Sequence, residues 1–416
     1  MILISCFVGG KPGRASLISP TFAGNWASII MIAPLLASFV GISLLFLLMT
    51  PYCRGILLSS GVFISALCKL CLGNVLLLTT DLWLVGLLIL VSLIGDGLRY
   101  AHVKDNLSCS VSLLEMLTEL NEPFDSMLAL ACGVVILIQM FVLLWWGVVF
   151  VYIISEVNAI QGIFIMIMLL IFLVWIVQFF HAIVAVIVEG CVLWLFIRPA
   201  NRTYHRNDYV QQVTLYACCA ATTSLGSICK AAVVVVPAQA ILSAVSVLRW
   251  RLRSYGHQSR CITVLAPAAL NILMNGPEPW ARQYHRLSLA YVATYANTLH
   301  RAAEAVNSRH PEIVDMVTLD STSFLLKMLC SWTAMVVSAA LVAIASLETH
   351  ELRSAWPLFF FQCYLLTYAC ISLALHTNRC AVDALFLAYA DSPDEFAEKN
   401  SLLYHRFLRI RELDMD

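Results

Sequence analysis

Charge is what this sequence has least of. Only 12% of its 416 residues are Asp, Glu, Lys or Arg, and 61% are apolar. Mean hydropathy is +0.86. An ordinary soluble domain carries about 25% charge. The shortfall excludes a disordered chain, a basic nucleic-acid-binding protein and an ordinary cytosolic enzyme. The 25 basic and 25 acidic side chains cancel, so no general attraction to anionic partners follows. Catalytic fingerprints are missing as well. There is no P-loop, HExxH, GxSxG or Rossmann glycine pattern, and no repeat or low-complexity tract. No cofactor is implied. What is present is long hydrophobic runs, which point to a polytopic all-α membrane protein.

Fifteen cysteines would suggest a disulfide framework in a short secreted chain. Here most lie inside apolar runs, Cys132, Cys191, Cys218, Cys330 and Cys370 among them. A free Cys in such a place behaves as a small apolar residue. Cys68 and Cys71 have redox or metal spacing, but no second pair or His stands at zinc spacing, so no metal site is expected. Lys11 and Arg14 precede an apolar stretch too long for a cleaved signal peptide.

A bilayer core about 30 Å thick needs about 20 apolar residues as helix. Runs of that kind cover 26–49, 55–77, 82–97, 127–155, 160–197, 213–248, 324–347 and 355–377. A weaker ninth, 261–274, reads as a span, a re-entrant piece or a surface helix. The expected organisation is an N-terminal segment (1–25), three spans (26–97), an amphipathic loop (98–126) and three long spans (127–248). A polar region (249–323), two last spans (324–377) and a solvated, cytoplasmic tail (378–416) complete it. The positive-inside rule ties between eight and nine spans. The sequons at Asn106 and Asn201 lie outside with eight and inside with nine.

Ionisable residues within spans carry the most information, because a charge in a bilayer is costly. Glu189 shares a helix with Gln178 and His181. Asp320 and Lys327 are seven apart, two turns along one face. Lys230 interrupts the 213–248 run, and Asp383 follows the last span. Each has a plainer reading. Lys230 can snorkel, Asp320 and Lys327 can fix a helix end, Glu189 can reach headgroups, and His181 can be a satisfied core residue. Aromatics are abundant, and most suit an interfacial belt or packing. Trp175 and Phe179 are four apart on one face, as are Tyr364 and Tyr368. Such faces can cage a quaternary ammonium by cation–π attraction.

An ordered series of motifs points further. Trp356-Pro357-Leu358 and then Ala381-Val382-Asp383-Ala384-Leu385-Phe386-Leu387-Ala388-Tyr389, followed by Asp391, Asp394 and Glu395, resembles the end signature of choline transporter-like proteins. Trp175-x-x-Gln178-Phe179 and Val188-Glu189-Gly190-Cys191-Val192 resemble that family's W-x-x-E-F and V-A-G-A-V. The stretch from Thr222 to Leu225-Gly226-Ser227 is similar to its H-x-G-T/S…G-S helix. Ala290-Tyr291, Ala302-Ala303 and the Asp320 to Lys327 spacing follow in order. Leu113 to Pro123 resembles its amphipathic segment. The likeness is colinear from about 40 to 405. Several positions depart from it. Gln178 stands for an acid, Glu189 for a small residue, Leu326 for a glycine, and Cys219 lies near the place of a His. The family's first span and large extracellular loop have no counterpart, which favours nine spans and an outside N-terminus.

The resemblance implies transport of choline or a related cation such as ethanolamine, with possible proton exchange, at the plasma membrane or an internal membrane. It implies a central cavity with Trp175, Gln178, Phe179, Glu189, Gly226, Tyr364 and Tyr368 at the substrate. Gly226 would permit close helix approach. His181 and Glu189 would handle protons. Asp320 with Lys327, and Asp383, would gate or brace the helices. The competing classes are a non-transporting receptor, channel or scaffold, and a membrane-embedded enzyme. The enzyme would need paired intramembrane acids or clustered His, which lone Glu189 and His181 do not supply.

Overall fold

The computed structural model describes residues 54–79, 83–121, 125–156, 159–197, 206–255, 277–309, 317–348, 356–399, and 401, 404, 405, 407 and 408. The expected spans at 26–49 and 261–274, the N-terminal segment and Asn201 lie outside these residues.

Every regular element among the described residues is helical. The chain runs α1 (Arg54–Thr79), α2 (Trp83–Val103), a 3-10 turn (Lys104–Asn106), α3 (Leu107–Asn121), α4 (Asp125–Glu156) and α5 (Ala159–Ile197). It continues with α6 (Arg206–Ala221), α7 (Leu225–Tyr255), α8 (Pro277–Gln283), α9 (Ser288–Tyr295) and α10 (Leu299–Arg309). Then come α11 (Val317–Glu348), α12 (Trp356–Asp391) and α13 (Pro393–Lys399). Five helices hold segments long and apolar enough to cross a membrane: Ser126–Gly147, Ile167–Ile197, Leu225–Arg249, Ser321–Ala343 and Phe360–Asp391. Large apolar side chains such as Phe63, Ile94, Leu130, Phe141 and Trp145 point outward. In water such a surface would associate. On a spanning helix it faces lipid. The protein is thus a polytopic α-helical membrane protein.

Three sequence expectations change. The run 213–248 is not one helix, because α6 ends at Ala221 and α7 starts at Leu225. Two hydroxyls cause the break. Thr222 Oγ1 donates to the Cys218 carbonyl at 2.7 Å and Thr223 Oγ1 to the Cys219 carbonyl at 3.3 Å. Side chains of this kind compete with the helical ladder for those acceptors. The stretch 98–126 is not a loop but the end of α2 and the helix α3, which buries Leu113, Leu114 and Leu117.

The last helix does not stop near 377. It continues to Asp391, and residues 377–389 apart from Arg379 are buried. The segment read as a solvated tail folds back as α13. Pro393 fits its first turn, where no amide hydrogen is needed, and Asp394 and Glu395 suit the positive end of its dipole. Phe396 and Phe407 are buried, with Phe396 stacked on Phe196 (4.8 Å) and Phe407 edge-on to Phe386 (4.8 Å).

The chain divides into two compact units. The first takes 1–95, 133–177 and 327–375; the second takes 96–132, 178–326 and 376–416. The first is held by apolar packing and neutral hydrogen bonds. Gln139 Nε2 donates to the Ala369 carbonyl (3.1 Å) and Trp146 Nε1 to the Leu169 carbonyl (2.9 Å). In the second, α7 packs on α8, and α9 on α10.

Candidate functional site

The C-terminal half of α5, from Ala182 on, is almost wholly buried, and it carries Glu189 at 1% exposure. On α12, His376 and Cys380, and likewise Arg379 and Asp383, are four apart, so this polar set shares one side of the helix. The turn between α8 and α9 brings in His285 and Arg286. That turn is fixed locally, since Ser288 Oγ donates to the His285 carbonyl at 2.7 Å. The start of α11 adds the buried hydroxyls of Ser321, Thr322 and Ser323. All of these belong to the second unit.

An uncompensated charge in an apolar interior costs several kcal/mol. This cluster therefore pairs its charges. Arg286 Nε lies 3.0 Å from Asp383 Oδ2, with both side chains under 10% exposed. Arg286 Nη1 donates to Ser323 Oγ at 2.7 Å. Arg379 Nη2 donates to Gln239 Oε1 on α7 at 3.0 Å. Glu189 is within electrostatic reach of Asp383, Arg286 and Arg379, and Cys380 hydrogen-bonds it. Its Oε2 is buried without a hydrogen-bond partner. Two carboxylates thus face two guanidiniums. The His181 and His376 rings meet edge to face at 4.6 Å between centroids.

His285 sits beside this cluster, outside the spanning segments. Burial, and then the charges of Arg286, Arg379 and Arg282, hold its imidazole well below the usual histidine range. It is neutral at physiological pH. Its Nδ1 accepts the Leu287 amide at 3.4 Å, which keeps the other nitrogen as donor.

The expected site residues fall into two groups. Trp175, Tyr364 and Tyr368 belong to the first unit. Tyr364 and Tyr368 come together at 5.9 Å, and Phe360 stacks on Tyr364 to extend an aromatic face along α12. Trp175 stacks on Phe172 at 5.8 Å. Gln178, Phe179, His181, Glu189, Gly226 and Asp383 belong to the second unit. Phe179 meets Phe180 edge-on at 5.6 Å.

Two expectations are corrected. Gly226 is not a point of close helix approach, because a Cβ there would meet nothing within 4 Å. The close approach is at Gly190, whose Cβ would fall 2.6 Å from the Tyr216 ring. Asp383 does not follow the last span but is buried inside it, 2% exposed. Lys327 is exposed on α11, and the Asp320 side chain lies outside the described residues. Lys230 is exposed and sits 5.5 Å over the Tyr284 ring, a local cation–π contact.

Sequence reasoning missed Arg286, Arg379, His285, His376 and Gln239. A signal existed for two of them. Arg379 and Asp383 are one turn apart inside a stretch otherwise as apolar as a span. Arg286 carried none, because only the fold brings the turn between α8 and α9 to α12.

The sequence profile described as plasma-membrane choline transporter matches residues 100–394, well over half of the chain. No curated protein matches the chain.

Proposed function

From a chain that belongs to the plasma-membrane choline transporter family, we propose transport of choline or a related organic cation such as ethanolamine, by alternating access. The family is one of transporters rather than enzymes, and its substrate is choline-type. The protein is an integral plasma-membrane protein.

The observation that supports the reading best is the ionisable cluster on the spanning helices. Charge is retained within a membrane mainly where it does work. Arg286 stands within reach of two acids, paired with Asp383 and coupled to Glu189. An exchange of Arg286 between them is a two-state element of the kind alternating access needs. A proton taken or released by Glu189, with His181 and His376 beside it, would couple that exchange to proton movement. We assign the aromatic faces for the ammonium head to Trp175, Tyr364 and Tyr368. Gln178 and Phe179 are further contacts in this assignment, and Asp320 with Lys327 is a latch at the start of α11. Eight or nine spans complete the scheme.

The test is uptake of labelled choline by cells expressing the full chain, with and without excess unlabelled choline, across a pH step. Saturable, competable, pH-responsive uptake is expected. Competable uptake without pH response removes the proton step. No uptake at confirmed surface expression, for choline and ethanolamine alike, overturns the transport reading in favour of a receptor, channel or scaffold. Uptake unchanged in Trp175→Ala removes Trp175 from the site.

A further inference from the structure

A separate cavity opens where two spans end. It occupies about 60 Å³ between the end of α5, the end of α12, α9 and α13, all within the second unit. At roughly 10–15 Å³ per water, it holds about four to six waters. That is room for a small organic ion. Phe196, Phe396 and Tyr295 supply aromatic walls, and Asp391 and Glu395 supply carboxylates. Both spanning segments end here, one at Ile197 and the other at Asp391, so the cavity lies at a membrane boundary.

The lining has a consistent chemistry. Phe196 and Phe396 are stacked at 4.8 Å, and Phe396 is buried, so these walls are fixed. Asp391 Oδ1 accepts the Tyr291 hydroxyl at 2.6 Å, which orients the carboxylate. Tyr291 in turn lies 5.2 Å from Tyr295, which is half exposed. No basic side chain lines the cavity. Arg309 is the positive charge close by, acting on Tyr291 and Tyr295. Two acids against one arginine leave one negative charge in excess. A hydrated metal ion gains little from aromatic walls, and an anion is repelled. A monovalent ammonium with methyl or methylene groups matches both features, through charge and cation–π attraction.

We propose that this cavity is a boundary site for small organic ammonium ions, distinct from the buried charge cluster, which loads or releases the transported cation at the membrane face. The inference rests on the transport reading only for the identity of that cation.

The test reads the site without transport. Ser392 lines the cavity and is partly exposed. In the full-length protein carrying Ser392→Cys, modification of position 392 by a methanethiosulfonate reagent is followed by mass spectrometry of that peptide. Tetramethylammonium at millimolar concentration is expected to slow it several-fold, with sodium chloride at equal ionic strength having little effect. In Ser392→Cys/Glu395→Gln the protection falls by about half or more, and in Ser392→Cys/Tyr295→Leu likewise. Glu395 is exposed and Tyr295 half exposed, so both variants keep the fold. Equal slowing by sodium chloride, or none by tetramethylammonium, overturns the proposal. So does full protection in both double variants. Choline uptake of the parent chain, measured in parallel, reports on the transport reading alone.

Discussion

The two units bury different kinds of polar group. Among the described residues, the buried polar side chains of the first are neutral: Ser65, Gln139, Ser331, Thr333, Ser338 and Thr367. Several are satisfied by carbonyls one turn away, as Ser338 is by Ala334 (2.6 Å) and Thr367 by Cys363 (2.7 Å). The second unit holds every buried charged residue: Glu189, Arg286 and Asp383, with His285 beside them. Local satisfaction needs no partner and survives helix movement. Charge satisfied across α5, the α8–α9 turn and α12 needs all three in place. The first unit is therefore suited to present aromatic surface, and the second to respond as a whole when one charge changes.

The largest effect should come from splitting the ion pair. Asp383→Asn or Arg286→Gln leaves a buried charge uncompensated, which costs about 3–5 kcal/mol. Thermal unfolding in detergent should show a large drop for each, and a smaller one for the double variant, which removes both charges. Equal loss in all three would mean that the pair's packing, not its charge, holds the unit.

Gly190→Ala should come next. Its Cβ would press on the Tyr216 ring at 2.6 Å, and overpacking of this kind costs about 1–3 kcal/mol. The same melting assay reads it.

The neutral imidazole of His285 gives a comparable pH term. In the unfolded chain it protonates below its ordinary value of 6.5; in the fold it stays neutral. The unfolded state then binds more protons, so stability is full above pH 6.5 and is lost as pH falls towards the lowered folded value. The slope is at most about 1.4 kcal/mol per pH unit. Melting curves from neutral to mildly acid pH should show this term in the parent and not in His285→Asn.

The first unit should respond differently. Tyr364 Oη lies 3.4 Å from Ser331 Oγ, a long contact. Tyr364→Phe should leave choline uptake near normal, whereas Tyr364→Leu removes a ring face and should raise KM by about 2–30-fold. Equal effects would assign the hydroxyl, not the face. The smallest change is expected at Gly226→Ala, where nothing stands within 4 Å and Ala gains helix propensity, about 0.5–1 kcal/mol of added stability.

The contrast between the units also explains what the sequence disclosed. Spans such as 127–155 and 160–197 appear as α4 and α5 within a residue or two, because continuous apolar surface leaves the chain no other use for itself. The last helix looked too short because Thr377, Asn378, Arg379 and Asp383 lower its hydropathy. Hydropathy scores a residue as if it stood alone, whereas Asp383 is buried with Arg286. The end of α6 at Thr222 was hidden for a related reason. A threonine hydroxyl that bonds back to its own helix leaves no trace in an apolarity profile. Glu189 was legible as a misplaced charge, but its company was not. Arg286 came from a stretch that reads as loop until α8 and α9 are packed.

The order of synthesis adds a consequence. Arg286 leaves the ribosome well before Asp383, and the α5 end around Phe196 well before Phe396 and Phe407, which cover it. During that interval the insertion machinery holds a guanidinium whose counter-charge has not yet been made. The second unit cannot be finished from its N-terminal side onward. It closes when α12 arrives, so any ribosomal stall within this interval strands a nascent chain that quality control can recognise by its exposed positive charge.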